Sequence, residues 1–333
     1  MKALVTGGGG FLGKAVVKRL LSRGKSVRVL VRGKYPDLEE AGVAVFRGDV
    51  ADAATVYNAA KGYDVVFHMA AKIGNWGPYQ DYFQTNVVGT ENVIAACKAH
   101  GISRLIYTST PSVVHSGGDL EGIDESLPYA EKFTAHYPHT KAIAEKMVLR
   151  ENSPSLSTIA LRPHLIWGPG DTQLLPRAID KFKSGKLRLC KGPPKRVDTI
   201  YIDNAADAHI LAHDRLNSNA GCAGKAYFIT QGEPISSGEL INRILKAAGY
   251  GPVEKTISPS LVNLAGWMAE AIYSIFRIKS EPAITRFLAE QLTTAHWYDI
   301  SAAKRDLGYQ PRISLQEGLE LLEASFNRQR RTG

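Results

Sequence analysis

The chain has 333 residues, 44% hydrophobic and 22% charged, with a net charge of +9. That composition is ordinary for a globular protein with room for one large core and a smaller lobe. The positive balance attracts polyanions, but no basic run is interleaved with aromatics, so nucleic acid is excluded as an expected partner. Cys97, Cys190 and Cys222 form neither a CxxC pair nor a ligand cluster, and no metal site is expected. Met1 leads straight into the first motif with no signal-peptide pattern before it, and the sparse, unpaired cysteines fit a reducing cytoplasm.

Lys2 to Val5 is a short apolar strand ending at Thr6-Gly7-Gly8-Gly9-Gly10-Phe11-Leu12-Gly13. Phe11 to Leu21 follows with Leu12, Ala15, Val16 and Leu20 at helical spacing. Gly7, Gly10 and Gly13 thus form a G-x-x-G-x-x-G run between strand and helix, with Phe11 and Leu12 in the turn. Residues without side chains let backbone amides approach a pyrophosphate, and the helix presents its positive end to the anion. The strand-before, helix-after setting separates this run from a turn that merely closes a strand–helix unit.

Ser26 to Val31 reads as a second buried strand. An acid at its end would bind the adenosine ribose. Val31-Arg32-Gly33-Lys34 stands there instead. Arg32 offers a planar donor fork for a 2′-phosphate and Lys34 adds charge, which favours NADP(H) over NAD(H). Val43 to Phe46 is a third strand, ending at Asp49-Val50, where the adenine edge would pass. Asp64 to His68 is a fourth, followed by Ala70 and Ala71, small enough for a cofactor to lie against backbone. A helical pattern from Tyr82 to His100 leads to a fifth strand, Arg104 to Tyr107, with Thr110 just past it. Helix from about Pro138 to Arg150 and strand Ser157 to Leu161 complete an alternation that implies a parallel sheet covered on both faces.

Tyr137 and Lys141 are four apart, and with Pro138 in the first turn both project from one helix face. A free phenol titrates near about 10, too high for proton transfer at neutral pH. A neighbouring ammonium, with the positive ring of an oxidised nicotinamide, would stabilise the phenolate. Lys141 is also expected to bond the nicotinamide ribose, and Thr110 to hold a substrate carbonyl oxygen. His136 and His139 read as helix-start residues without a chemical role.

Beyond residue 163 the pattern is broken by Pro163, Gly168, Pro169, Gly170, Gly192, Pro193 and Pro194. Helices are expected near 174–184, 204–216, 236–248 and 314–328. The expected architecture is α/β, a Rossmann-type doubly wound parallel sheet over 1–162 with a smaller C-terminal substrate lobe over 163–333. Some elements of the lobe return to the main sheet, and the lobe covers the carboxyl ends of the strands, where such sheets bind ligands. Within 257–278, Leu261, Leu264, Trp267, Met268, Ile272, Ile275 and Phe276 make an apolar helical stripe. Asn263 and Glu270 argue against a membrane span. Two readings stand: a helix packed on the substrate pocket, and an interfacial helix touching a partner enzyme or the inner membrane face, with Arg277 and Lys279 toward an anionic surface.

Four features resemble the extended short-chain dehydrogenases/reductases: the glycine run, Asn86-Val87-Val88-Gly89-Thr90, Tyr107-Thr108-Ser109-Thr110, and Tyr137 with Lys141. Tyr137-Pro138-His139-Thr140-Lys141-Ala142-Ile143-Ala144-Glu145-Lys146 and Leu161-Arg162-Pro163-His164-Leu165-Ile166-Trp167-Gly168 resemble the 3β-hydroxysteroid dehydrogenase branch. Tyr107 to Val113 and Tyr201 to Ala206 are similar to members of that branch acting on β-keto acids with two long alkyl chains. The resemblance implies NADPH-dependent reduction of such an acid to the 2-alkyl-3-hydroxyalkanoate, a step of long-chain olefin biosynthesis. It brings Asn86, Ser109 and Pro163 to the cofactor. It also maps a catalytic serine onto Thr110, with Ser109 as the fallback.

A second-lobe cation should meet the substrate carboxylate, with His164 and Arg196 as candidates. The same chemistry run toward oxidation would make the chain a 3β-hydroxysteroid or sterol-carboxylate dehydrogenase. Sugar-nucleotide dehydratases carry an Asp-Glu pair after the strand-edge hydroxyl, where this chain has Pro111 and Ser112. A nucleotide-sugar epimerase would need cations for a diphosphate, for which Arg177, Lys195 and Arg196 are present. A redox sensor without turnover is the rival from another class, and the tyrosine–lysine pair argues against it. A homodimer built on the two long helices flanking the sheet is expected by fold analogy.

Overall fold

The computed structural model describes residues 1–217, 219–278 and 280–332, so the Lys279 reading lies outside the described residues. The first half alternates β1 (Lys2–Thr6), α1 (Phe11–Ser22), β2 (Ser26–Val31), β3 (Ala44–Arg47), α2 (Ala53–Ala60), β4 (Val65–His68), α3 (Gly89–Ala99), β5 (Arg104–Thr108), α4 (His136–Arg150) and β6 (Ser157–Pro163). The second half adds α5 (Ile202–Arg215), β7 (Lys225–Ile229), α6 (Pro259–Ile275) and α7 (Arg286–Thr293).

Seven parallel strands form one sheet in the order β7-β6-β5-β4-β1-β2-β3. This is the doubly wound sheet the alternation predicts. The strand order reverses between β1 and β4, which opens a crevice at the carboxyl ends of the strands. Side chains alternate between two cores. Ala3 and Val5 of β1 face α1 and α5 with Val16, Leu20, Ala205 and Ala208, whereas Leu4 faces α2, α3 and α4 with Val56, Val93 and Val148. Covered on both faces, β6 is buried along its whole length.

Two elements from the second half join these layers. β7 pairs with β6, and α5 lies on α1, where Arg19 meets Asp207 at 2.7 Å and Arg23 meets Asp214 at 2.6 Å. A small second sheet joins the halves again, pairing Leu120–Ile123 with His296–Tyr298, then Arg196–Val197 and Ile235–Ser236.

The single helix expected over Tyr82 to His100 is divided. A short helix, Tyr79–Tyr82, runs into a π-helical stretch, Phe83–Val88, before α3. The buried Asn86 amide accounts for the widening. Its oxygen accepts from Lys72 N at 2.8 Å, and its nitrogen donates to Lys72 O at 3.1 Å and to Thr140 Oγ1 at 3.0 Å. α2 and α7 escape the apolar-period reading because they are short. Each is marked only by a capping side chain, Asp52 accepting from Ala54 N and Thr285 accepting from Leu288 N. On α6 the stripe from Leu261 to Phe276 points outward, its large residues between 45% and 74% exposed. The buried side is Val262, Gly266 and Glu270, so the stripe does not pack on a pocket.

Candidate active site

Gly7 adopts φ +71°, which L side chains rarely take, and a Cβ there would lie 2.8 Å from Ala70 Cα. A Cβ on Gly13 would collide with the Gly7 carbonyl, so strand and helix close up only around glycine. Gly10 is the N-cap of α1, with no side chain capping the helix and no acid in its first turn. The leading amides, from Phe11 and Leu12, thus lack a side-chain partner and have the positive helix end behind them. A dinucleotide pyrophosphate fits that cradle. Ala70 forms the facing wall, its N–H donating to Thr6 Oγ1 at 3.2 Å, and Ala71 continues it. At the far rim Arg32 is exposed, with Nη1 3.9 Å from Asp49 Oδ2, and Lys34 is exposed beside it. Val50 is buried against Gly89.

α4 starts at His136, so Pro138 is its third residue rather than its first. Tyr137, Lys141 and Glu145 follow at i, i+4 and i+8. Thr110 is buried and caps the turn Pro111–Val113, its Oγ1 accepting from Ser112 N at 3.3 Å. Burial pushes the Tyr137 phenol up to about 12, and a hydrogen bond with Thr110 opposes the rise. Lys141 Nζ donates to Thr108 O at 2.6 Å and stands 4.1 Å over the Tyr107 ring. Burial pulls Lys141 down to about 7, opposed by the charge of Glu145 one turn on. The expectation that the ammonium itself lowers the phenol is therefore corrected. The amine is engaged by a main-chain carbonyl and an aromatic face, and the side chain holding the phenol down is Thr110.

Asn86 reaches the same corner through Thr140, whose hydroxyl donates to His136 O at 2.9 Å and Tyr137 O at 3.1 Å. Ser109 donates its N–H to Leu161 O at 2.6 Å, and its buried hydroxyl has no hydrogen-bond partner among the described residues. Pro163 ends β6, buried. His136 and His139 pack on Tyr79, and His139 also stacks on Phe133.

His164 is buried, its Nε2 2.7 Å from His296 Nδ1, and burial pulls both rings below the ordinary imidazole range. Arg196 stands apart from this cluster. It is exposed, donates to Pro234 O at 3.0 Å and lies 5.6 Å over the Trp297 ring, all on the small sheet. The other two cations expected to suit a diphosphate are also engaged, Arg177 with Glu281 at 3.2 Å and Lys195 with Asp119 at 2.5 Å.

The sequence reading missed His115. It is buried three residues beyond Ser112, with Nδ1 3.0 Å from Glu290 Oε1 but neither ring nitrogen in a well-aligned hydrogen bond among the described residues. Burial alone would raise Glu290, but the His115 ring beside it and a hydrogen bond from Thr134 Oγ1 at 2.7 Å hold it below its ordinary value. The available signal was the cluster of small hydroxyls, Ser109, Thr110 and Ser112, just before His115 at a strand's carboxyl end. Its partner on α7 is remote in sequence. Among the described residues no His, Cys, Asp or Glu group could hold a metal ion.

A profile of the 3-beta hydroxysteroid dehydrogenase/isomerase family matches residues 4–260. The chain is similar to a 2-alkyl-3-oxoalkanoate reductase of Stenotrophomonas maltophilia (strain K279a), 53% identical over 98% of this chain and 99% of that one. It is also similar to human sterol-4-alpha-carboxylate 3-dehydrogenase, decarboxylating, 33% identical over 99% of this chain and 89% of that one. Among solved structures it resembles a Thermus thermophilus UDP-glucose 4-epimerase in complex with NAD, with a TM-score of 0.75 and 25% identity over 98% and 99% of the two chains. A match of that extent, continued by relatives that align end to end, makes this chain a member of the 3-beta hydroxysteroid dehydrogenase/isomerase family.

Proposed function

We propose that this protein reduces the 3-ketone of a 2-alkyl-3-oxoalkanoate to the alcohol, using NADP(H). The carrying observation is the Tyr137 phenol, set beside Thr110 at the carboxyl edge of the sheet and one helical turn from Lys141. The identity with the Stenotrophomonas reductase supports the choice of substrate. The glycine turn and the first amides of α1 would hold the pyrophosphate, and Arg32 with Lys34 would take a 2′-phosphate. Bound there, the reduced nicotinamide dinucleotide supplies a hydride to the carbonyl carbon.

The chain's own residues handle the proton and the alignment. Thr110 holds the ketone oxygen beside Tyr137 Oη, and the phenol gives its proton to that oxygen as the alcohol forms. Burial keeps the phenol protonated at neutral pH, the form that gives a proton to the ketone oxygen. Lys141, one turn further along α4, would hydrogen-bond the nicotinamide ribose and hold the cofactor beside the phenol. Asn86 positions the tyrosine backbone through Thr140. An epimerase reading is disfavoured because Arg177 and Lys195 already hold carboxylates.

The test is turnover. A 2-alkyl-3-oxoalkanoate should be reduced with NADPH faster than with NADH. Oxidation of a 3β-hydroxysteroid without turnover of the keto acid would overturn the reading.

A further inference from the structure

α6 is built inside out for a helix on a protein surface. Its single charged residue, Glu270, is turned inward and accepts from Arg286 N and Nε, both at 2.6 Å. Gly266 presses the helix onto α7, since a Cβ there would lie 2.9 Å from Thr285 O. The outward face is left without charge. Trp267 is 59% exposed, Ile275 74% and Phe276 72%. An uncharged apolar face of this length marks a contact surface.

The surface is continuous with the candidate active site. The segment after Ala71 runs along α6, where Trp76 Nε1 donates to Ile278 O at 3.3 Å and the Trp76 ring meets Tyr273 edge-on. Ile73 in that segment is 53% exposed. The same segment is held at Lys72 by Asn86, the residue tied through Thr140 to the backbone of Tyr137.

Charge decides the occupant. A two-stranded ribbon, Leu189–Cys190 with Thr256–Ile257, leads into α6 and places exposed Lys191 and Lys255 at its amino end. Exposed Arg277 stands at its carboxyl end. The apolar face is thus flanked by net positive charge at both ends, Glu254 offsetting only one of the two lysines at the amino end, on a chain of net charge +9. An anionic lipid surface needs only apolar insertion and cations at headgroup level. At 17 residues α6 is too short to cross a bilayer, and no described helix is long and apolar enough to do so.

We propose that α6 docks this protein on an anionic lipid surface, lying in the plane of the interface with Trp267 and Phe276 inserted and Lys191, Lys255 and Arg277 among the headgroups. Docked in this way, the segment after Ala71, with Ile73 and Trp76, faces the lipid beside the end of α6. Docking stands on this surface alone, and a lipid-like substrate under the proposed function gives it a use.

The test is flotation of the full chain with vesicles of phosphatidylglycerol and phosphatidylcholine, against vesicles of phosphatidylcholine alone. Binding should be at least about tenfold stronger to the anionic vesicles and should fall with salt, as expected for cations among anionic headgroups. Trp267→Glu with Ile272→Glu should lose that binding while keeping the melting temperature and the turnover of a short, water-soluble β-keto acid. Absence of flotation, or flotation unaffected by the double substitution, overturns the proposal. So does loss of a dimer in light scattering by a variant whose parent never binds vesicles, because the face would then be a contact between two copies. Turnover of the soluble acid reports on the chemistry separately from docking.

Discussion

At the scale of single residues, the site depends on what burial does to two titrating groups. Tyr137→Phe removes the proton donor without touching the cradle. NADPH affinity, read by fluorescence titration, should be unchanged, while kcat falls by roughly 10²–10⁴. Lys141 carries a pH signature. Its folded pKa is about 7 against an ordinary 10.5. Between those values the unfolded chain holds a proton that the folded chain does not, so the contribution of this lysine to stability rises with pH across that window and is flat below it. Lys141→Met should abolish that rise in melting temperature between pH 7 and 10 and reduce kcat/KM. At the cofactor rim, Arg32→Ala should raise KM for NADPH roughly tenfold, the worth of one charge-assisted pair, and leave KM for NADH almost unchanged. An equal loss with both cofactors would remove the argument for a 2′-phosphate. The identities of these residues were legible because motif and spacing are local. Their pKa values were not, since the desolvation that sets them comes from chain segments far away in sequence.

At the scale of elements, α4 matters as much as the residues it displays. It is clamped to β6 by a buried pair, Arg162 Nη2 to Glu145 Oε1 at 2.6 Å, with Tyr129 Oη donating to the same carboxylate oxygen at 2.7 Å. Breaking such a pair leaves an uncompensated buried charge. Glu145→Leu should therefore cost about 3–5 kcal/mol in urea denaturation. Adding Arg162→Met should recover most of that loss, since two apolar groups of similar size replace the pair. The π-helical stretch before α3 is a second element with a purpose. Apolar periodicity reads straight through it, and only the pairing of Asn86 with Lys72, on a separate loop, shows why the helix widens there.

At the scale of the whole molecule, the two halves share one core. β7 and α5 come from beyond residue 200 yet complete the main sheet and cover α1. A fragment of residues 1–162 should therefore lack a cooperative thermal transition in calorimetry, because it would expose the edge of β6 and the face of α1. The sequence by itself determined the parallel α/β sheet, the glycine turn from Gly7 to Gly13 between strand and helix, and the placing of Tyr137 and Lys141 one turn apart on one helix. Each is encoded by periodicity or by spacing within a few turns of chain. Only the tertiary structure decided that Lys141 turns to a backbone carbonyl, that His115 meets Glu290, that Arg196 lies out on the small sheet and that α6 shows its apolar face to the outside. Those outcomes depend on which distant segments bury or pair a side chain, and local pattern carries no record of distance in space.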